Sequence, residues 1–359
     1  MPDAAPPERP EAAACADPWP KGGAVRRINL ALQGGGAHGA FTWGVLDRLL
    51  EEDRIAVEGI TGTSAGAVNG VLLAAGLTLE GREGARHLLR RFWERVAKAA
   101  ALSPLQPSAF DRLLGPGRMD FSPGYWMLDT LSRVLSPYQY NAFDINPLRD
   151  ILDEMVDFEA LRRCEAVKVF VSATNVKRGR IKVFPLSEIE LDAVVASTCL
   201  PFLHKAVEID GEAYWDGGYL GNPAIYPLIY HTDCPDILLV QLNPINIDQV
   251  PKTAQEIMDR LNTLTFNASL MREMRAIDFV TRLIDDGFDH GGRLRRLLIH
   301  VVHAEDVMAE LGASSKLNAD RDFLEKLFRI GRHRTDAWLA AHFDRIGVES
   351  TADIAEMYL

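Results

Sequence analysis

Apolar and polar positions recur with two different periods along this chain, and the change of period marks its elements. Arg27 to Gln33 is almost continuously apolar at its centre, the pattern of a strand covered on both faces. Phe41, Val45, Leu46, Leu49 and Leu50 then recur at helical spacing along one side of the next segment. Gly59 to Thr63 reads as a second buried strand, and Ala65 to Ala75 as a helix of small residues able to pack closely on a sheet. Glu80 to Ala101 continues with a helical, highly charged pattern. Val167 to Asn175 and Arg180 to Phe184 read as strands around the turn Lys177 to Arg180, and Ile237 to Gln241 and Leu297 to Val302 as later strands. Long helices fill Thr253 to Ile284 and Arg321 to Phe343. Strand and helix in alternation predict an α/β fold, a three-layer sandwich whose mostly parallel central sheet is flanked by helices. No internal repeat is evident.

The alternation fails over residues 102–146, where prolines and glycines are mixed with Phe110, Leu113, Leu114, Met119, Phe121, Tyr125, Trp126, Met127 and Leu128. The first 25 or so residues are rich in Pro and Ala and lack an apolar core, so a disordered tail is expected there. Ala12 to Ala16 is too short a run for a signal peptide, and no segment approaches the length of a membrane-spanning helix.

Composition narrows the picture modestly. With 359 residues the chain can bury a full core, and 47% hydrophobic with 25% charged residues is ordinary for a globular protein. The formal net charge of −11 argues against nucleic acid as a partner and against strong attraction to anionic surfaces. Cys15, Cys164, Cys199 and Cys234 are scattered without C-x-x-C spacing, which fits reduced thiols and a cytoplasmic setting rather than disulfides or zinc.

The chemistry is concentrated in two glycine-rich corners. Gly34-Gly35-Gly36-Ala37-His38-Gly39 follows the first strand, and Gly62-Thr63-Ser64-Ala65-Gly66 follows the second. Together they set free backbone N–H groups beside an exposed serine, the pairing that acyl transfer needs. Gly34, Gly36 and Gly39 also satisfy a dinucleotide-binding pattern, but the next strand ends in Thr63-Ser64 rather than in a ribose-binding acid. No Lys-Ser or Lys-Thr follows the glycines, so a phosphate-binding Walker loop is excluded. G-x-S-x-G instead puts Ser64 on a strand-turn-helix corner. A third piece, Tyr214-Trp215-Asp216-Gly217-Gly218, comes roughly 150 residues after Ser64 and frees a carboxylate at a strand end.

Glycine loop, G-x-S-x-G and Asp-Gly-Gly in this order resemble the patatin-like phospholipases. The resemblance runs from about Asn29 to Pro227 and takes in Ala196-Ser197-Thr198-Cys199-Leu200-Pro201. It implies lipid acyl hydrolysis by a Ser–Asp dyad, with Ser64 as nucleophile, Asp216 as base, and an oxyanion hole from Gly34, Gly35, Gly36 and Ala37. It implies neither cofactor nor metal. The family carries Arg or Lys where His38 stands, so His38 is the candidate for binding substrate, a helix-start residue without a ligand being the alternative. This departure leaves phospholipid and neutral lipid both open as substrates. A conventional triad would need a late histidine, and His300 and His303 lie in an apolar stretch whose alternation sends them to opposite faces. Those two and His204 are read as structural, and Cys199 as a small buried apolar residue.

On this reading residues 1–25 are the tail, 26–245 a patatin-like catalytic domain, and 246–359 a mainly helical C-terminal region packed on it. Residues 102–146 form a lid or interfacial insertion, or else an insertion that packs its aromatics on the core. The expected partners are a lipid or other ester and, peripherally, a membrane surface. Two competing functions remain on the residues alone: a non-catalytic lipid-binding or regulatory protein on the same fold, and a dinucleotide-binding oxidoreductase.

Overall fold

The computed structural model describes residues 18–22, 25–114, 117–288 and 291–359. Most of the expected tail and Cys15 lie outside the described residues. The strands are β1 (Arg26–Leu32), β2 (Ile55–Thr63), β3 (Lys168–Asn175), β4 (Arg180–Pro185), β5 (Val207–Ile209), β6 (Glu212–Asp216), β7 (Asp236–Gln241) and β8 (Leu298–His303). Among the described residues they form a single sheet in the order β5-β6-β3-β2-β1-β7-β8, with β4 also paired to β3. The run β3-β2-β1-β7-β8 is parallel throughout, and the pairs of β3 with β4, β3 with β6 and β5 with β6 are antiparallel. Helices cover both faces, so the fold is the α/β sandwich that the alternating pattern predicts. Among the described residues no helix is long and apolar enough to cross a membrane.

Two helices at the centre position the site. Helix α1 (Gly39–Glu51) follows β1, and α2 (Ala65–Ala101) follows β2 directly at Ser64. Helix α2 is two helices in one: Glu80 and Gly81 leave the helical region, Gly81 with φ 62°, at the break the sequence places between Ala75 and Glu80. Helix α1 is buried almost all round because a second helix, Arg321–His342, covers its outer side. The two backbones meet at Gly44 and Gly331, where any side chain would strike the facing carbonyls of Phe328 and Phe41. Asp47 on α1 is 2% exposed and is paired with Arg86 of α2 at 3.0 Å and with Arg332, so one carboxylate ties three helices together. A buried carboxylate persists in such a place only when it is paired.

The C-terminal residues thus enter both the sheet and the helical layer. Beyond β8 the chain returns along that strand's open side: Thr351 and Ala352 donate their N–H groups to Ile299 O at 3.1 Å, and Ile299 N donates to Ser350 Oγ at 3.0 Å. Among the described residues, 102–146 hold three short helices, Ala109–Leu114, Pro123–Val134 and Pro137–Tyr140. Met119 anchors this stretch in full burial, while Leu113 at 80% and Phe143 at 91% stand in solvent.

Candidate active site

The C-terminal ends of β1 and β2 set the geometry. β2 runs to Thr63 and α2 starts at Ala65, which leaves Ser64 to make the whole corner with φ 54° and ψ −125°. Such a left-handed conformation is costly for a residue with a side chain and persists only where the surroundings impose it. They do so by close approach: at Gly66 a Cβ would run into the carbonyl of Leu32, and at Gly62 it would lie 2.6 Å from Gly66 O. The Ser64 N–H donates to Ser197 Oγ at 2.9 Å, and Ser64 O accepts the first helical bond of α2 from Val68 N at 3.0 Å.

The glycine loop leaves β1 and folds over this corner. A Cβ on Gly34 would lie 2.7 Å from Ser64 Cβ and 2.8 Å from Thr63 O, so the first glycine touches the serine turn directly. Its N–H donates to Asn222 Oδ1 at 2.7 Å. Gly34 is therefore not a free donor, a correction to the expected set: its hydrogen bond is spent on joining the loop to the Asp216 turn. Gly35 is extended at φ −179°, and Gly36 (φ 58°) starts the single 3-10 turn that leads into α1. Among the described residues the N–H groups of Gly35, Gly36 and Ala37 have no acceptor, and they lie at the N-terminal end of a helical segment, where partial positive charge collects.

Asp216 ends β6 with no exposure at all. Its backbone is fixed by donation from N to Cys199 O at 2.7 Å and by acceptance from Thr174 Oγ1 at 2.8 Å. Oδ1 accepts from Gly218 N at 2.7 Å, and among the described residues Oδ2 has no hydrogen-bond partner. Burial pushes the carboxyl up to about 7, against the opposing pull of the Gly218 N–H, the nearby Ser64 hydroxyl and the Lys316 charge. The structure thus brings Ser64, Asp216 and the glycine loop to one spot.

His38 faces inward. It is 2% exposed, its Nε2 lies 2.7 Å from Ser315 Oγ, and its ring meets Phe323 edge-on. Burial and then the Lys316 charge push it down to about 3, so the ring is neutral. The other histidines make no hydrogen bond to Ser64 or Asp216 among the described residues. His300 is fully buried between Asp236 Oδ1 and Thr351 Oγ1, each at 3.0 Å. His303 Nδ1 accepts from Glu305 N at 3.3 Å, and His204 is a desolvated ring whose Nδ1 has no partner. Among the described residues no cluster of three His, Cys, Asp or Glu side chains is arranged to hold a metal ion.

Four polar residues that sequence reasoning did not single out complete the site. Gln33 accepts from Leu242 N and Asn243 N through Oε1, at 2.8 and 2.9 Å. Asn243 donates to Gly34 O at 3.0 Å, Asn222 holds Gly34 N, and Lys316 Nζ donates to Asn243 Oδ1 at 2.8 Å. Asn222 stands just beyond Asp-Gly-Gly and its burial could have been suspected there. Asn243 and Lys316 carry no local signal.

The family model described as patatin-like phospholipase matches residues 30–229. No curated protein matches the chain. Among solved structures, VipD from Legionella pneumophila is similar with a TM-score of 0.44 and 15% identity, over 92% of this chain and 72% of that one. The heterodimeric ExoU-SpcU complex from the type III secretion system of Pseudomonas aeruginosa gives a TM-score of 0.30 and 16% identity, over 85% of this chain and 52% of that one.

Proposed function

This chain belongs to the patatin-like phospholipase family, and from that premise we propose that it hydrolyses the carboxylic esters of lipids with Ser64 as nucleophile and Asp216 as its base. The observation that carries the reading is the convergence of a strained Ser64, the unpartnered Oδ2 of Asp216 and the unused N–H groups of Gly35, Gly36 and Ala37. Ser64 Oγ attacks the ester carbonyl carbon while its proton passes to Asp216 Oδ2. The carbonyl oxygen takes the negative charge and receives the loop's N–H groups. As the intermediate collapses, Asp216 returns the proton to the departing alkoxide and the acyl group stays on Ser64. Water then repeats the sequence, giving its proton to Asp216 and releasing the fatty acid. A base at about 7 suits this work, since it is half ionised at neutral pH and still strong enough to accept a proton. Turnover is expected to rise with pH through 7 as Asp216 ionises.

In this reading His38 positions the loop through Ser315 instead of touching substrate. Residues 102–146 are the part that meets the lipid surface or covers the acyl chain, and the protein visits membranes peripherally. The exposed Leu113, Trp126 and Phe143, all within this one stretch of the chain, support it. Ser64 is buried, at 8% exposure, so its surroundings must open before a lipid can reach it.

The test is hydrolysis of a lipid panel, with fluorophosphonate labelling beside it. Ser64→Ala should abolish both, and Asp216→Asn should lower kcat by about 10⁶-fold, as loss of the general base does in related serine chemistry. Labelling that survives in Ser64→Ala places the nucleophile elsewhere. Loss on the Asp216 scale in His204→Ala, His300→Ala or His303→Ala would replace the dyad by a triad.

A further inference from the structure

The 3-10 turn Ala313–Leu317 lies outside the residues matched by the family model and sits directly on the glycine loop. Ser315 Oγ meets His38 Nε2 at 2.7 Å, and the main-chain oxygen of Lys316 lies where any side chain on Gly36 would have to go. Lys316 Nζ then donates to Asn243 Oδ1 at 2.8 Å, while Asn243 Nδ2 donates to Gly34 O at 3.0 Å. The same ammonium stands 5.6 Å from the centre of the Phe266 ring, and Phe266 packs on Gly218 of the Asp216 turn. Lys316 is thus fixed between the two pieces that the proposed reaction uses, the donor loop and the base.

We propose that Lys316 supplies the site's fixed positive charge, keeping the Asp216 carboxylate ionised and the glycine loop in register from a segment outside the matched family region. The inference rests on the Ser64–Asp216 reading above. Its need is physical: a carboxyl with no exposure tends to hold its proton, and a protonated base cannot accept another. The ring of His38 beside the loop is neutral and cannot meet that need. Lys316 faces Asp259 from the helix Ala254–Asp285 and Asp216 from β6, both of which favour its charged form, and His38 from the turn after β1. Asp120, from the insertion, accepts from Ser314 Oγ at 2.6 Å next door and acts on Asp259. Against these carboxylates, burial pushes the ammonium down to about 8. Lys316 is therefore a positioning residue that acts through Asp216 and the loop, with its charge retained up to mildly alkaline pH.

The experiment measures kcat/KM from pH 5 to pH 10 on a soluble ester, using the full chain and its Lys316→Met and Lys316→Arg variants. Melting temperature and labelling of Ser64 are followed in parallel. The unaltered protein should give a bell, with an acid limb near 7 from Asp216 and an alkaline limb near 8 from Lys316. Lys316→Met should lower kcat/KM about 10²-fold at pH 7, the scale of one lost transition-state interaction. Its acid limb should move upward and its alkaline limb should disappear. Lys316→Arg should keep activity within about tenfold and carry the alkaline limb beyond pH 10, because a guanidinium does not lose its proton there. An alkaline limb that stays near 8 in Lys316→Arg overturns the inference, even if Lys316→Met fails to fold. So does a Lys316→Met profile that is merely scaled down with both limbs in place, which is what a packing role alone would give. Absence of Ser64-dependent hydrolysis in the unaltered protein overturns the reading beneath it instead.

Discussion

Two regions of this molecule are built on opposite terms. Around Gly34, Gly62 and Gly66 there is no room for a methyl group, and the backbones of β1, β2 and α2 touch one another. Across residues 102–146 large apolar side chains stand in water, with Leu113 80% and Phe143 91% exposed. The first region fixes atoms relative to one another, and it does so with main chain and close approach. The second is tied to the rest through the buried Met119 and through bonds such as Tyr140 Oη to Phe202 O at 2.6 Å, and still leaves large apolar side chains in solvent. A hydrolase acting on lipid needs both: donors aimed to a fraction of an ångström, and a surface able to meet a substrate that arrives in an aggregate.

The sharpest way to break the contrast is to fill the tight region. Gly66→Ala drives a Cβ into the carbonyl of Leu32, where backbone and not a side chain would have to yield. It should destabilise the fold by about 3 kcal/mol in urea unfolding and leave no measurable turnover. Wild-type stability in that variant would mean that the corner has slack. Gly35→Ala is gentler. Gly35 is already extended, and a Cβ there would lie 3.1 Å from the terminal methyl of Leu242 and clear of any backbone, so stability should fall by less than about 1 kcal/mol. Its kcat should nevertheless drop about 10²–10³-fold, as when one oxyanion donor is misdirected. Equal losses in stability and rate would assign the loop a purely structural part. Gly36 is the poorer probe. With φ 58° and the carbonyl of Lys316 against it, replacement there strains the backbone as well as the donor.

Asp216 tests the cost of the tight region in another way. Its pKa is raised on folding from 3.8 to about 7, so the folded state binds the proton more tightly than the unfolded chain. The resulting stabilisation is full below pH 4 and is lost as pH rises through 7. Asp216→Asn should flatten that decline, and between pH 5 and pH 8 the difference from wild type should change by something on the order of 2 kcal/mol. A parallel pH dependence in the two proteins would put the decline on other groups. The smallest effect belongs to the open region. Leu113→Ser with Phe143→Ser should change unfolding free energy by less than about 0.5 kcal/mol and leave hydrolysis of a dispersed ester untouched. Turnover of lipid in vesicles should fall. If both substrates respond alike, the exposed side chains serve the fold and not the surface.

What could be read from the sequence follows the same division. Both glycine corners, the strands that lead into them and the long late helices were legible, because close backbone approach demands glycine and buried strands demand apolar runs. Asp210-Gly211 between β5 and β6 carried a two-residue hairpin signal that went unused; both residues have positive φ, 51° and 77°. The start of β2 at Ile55 was missed because Glu58 interrupts its apolar run. That glutamate accepts from Asp233 N and Cys234 N across the end of the sheet. Lys316, Asn222 and Asn243 reach the site from three distant places, and the meeting of such residues is a property of the folded chain alone. His38 shows the converse: its position in the motif was plain, but its inward direction depends on Ser315 and Phe323, far along the chain.

The return of residues 350–352 along β8 bears on how copies of this protein behave beside one another. β8 is the last strand of a parallel run, and its outer side would offer unpaired N–H and C=O groups to any extended segment nearby. The bonds from Thr351 and Ala352 to Ile299, and from Ile299 to Ser350, occupy that side. Tyr358 fastens the segment farther on through its hydroxyl bond to Gln241 at 2.7 Å. The segment therefore covers the outer side of that strand at Ile299. Loosening it would bare the main-chain groups of Ile299, and an uncovered strand edge is a template on which another extended segment can pair.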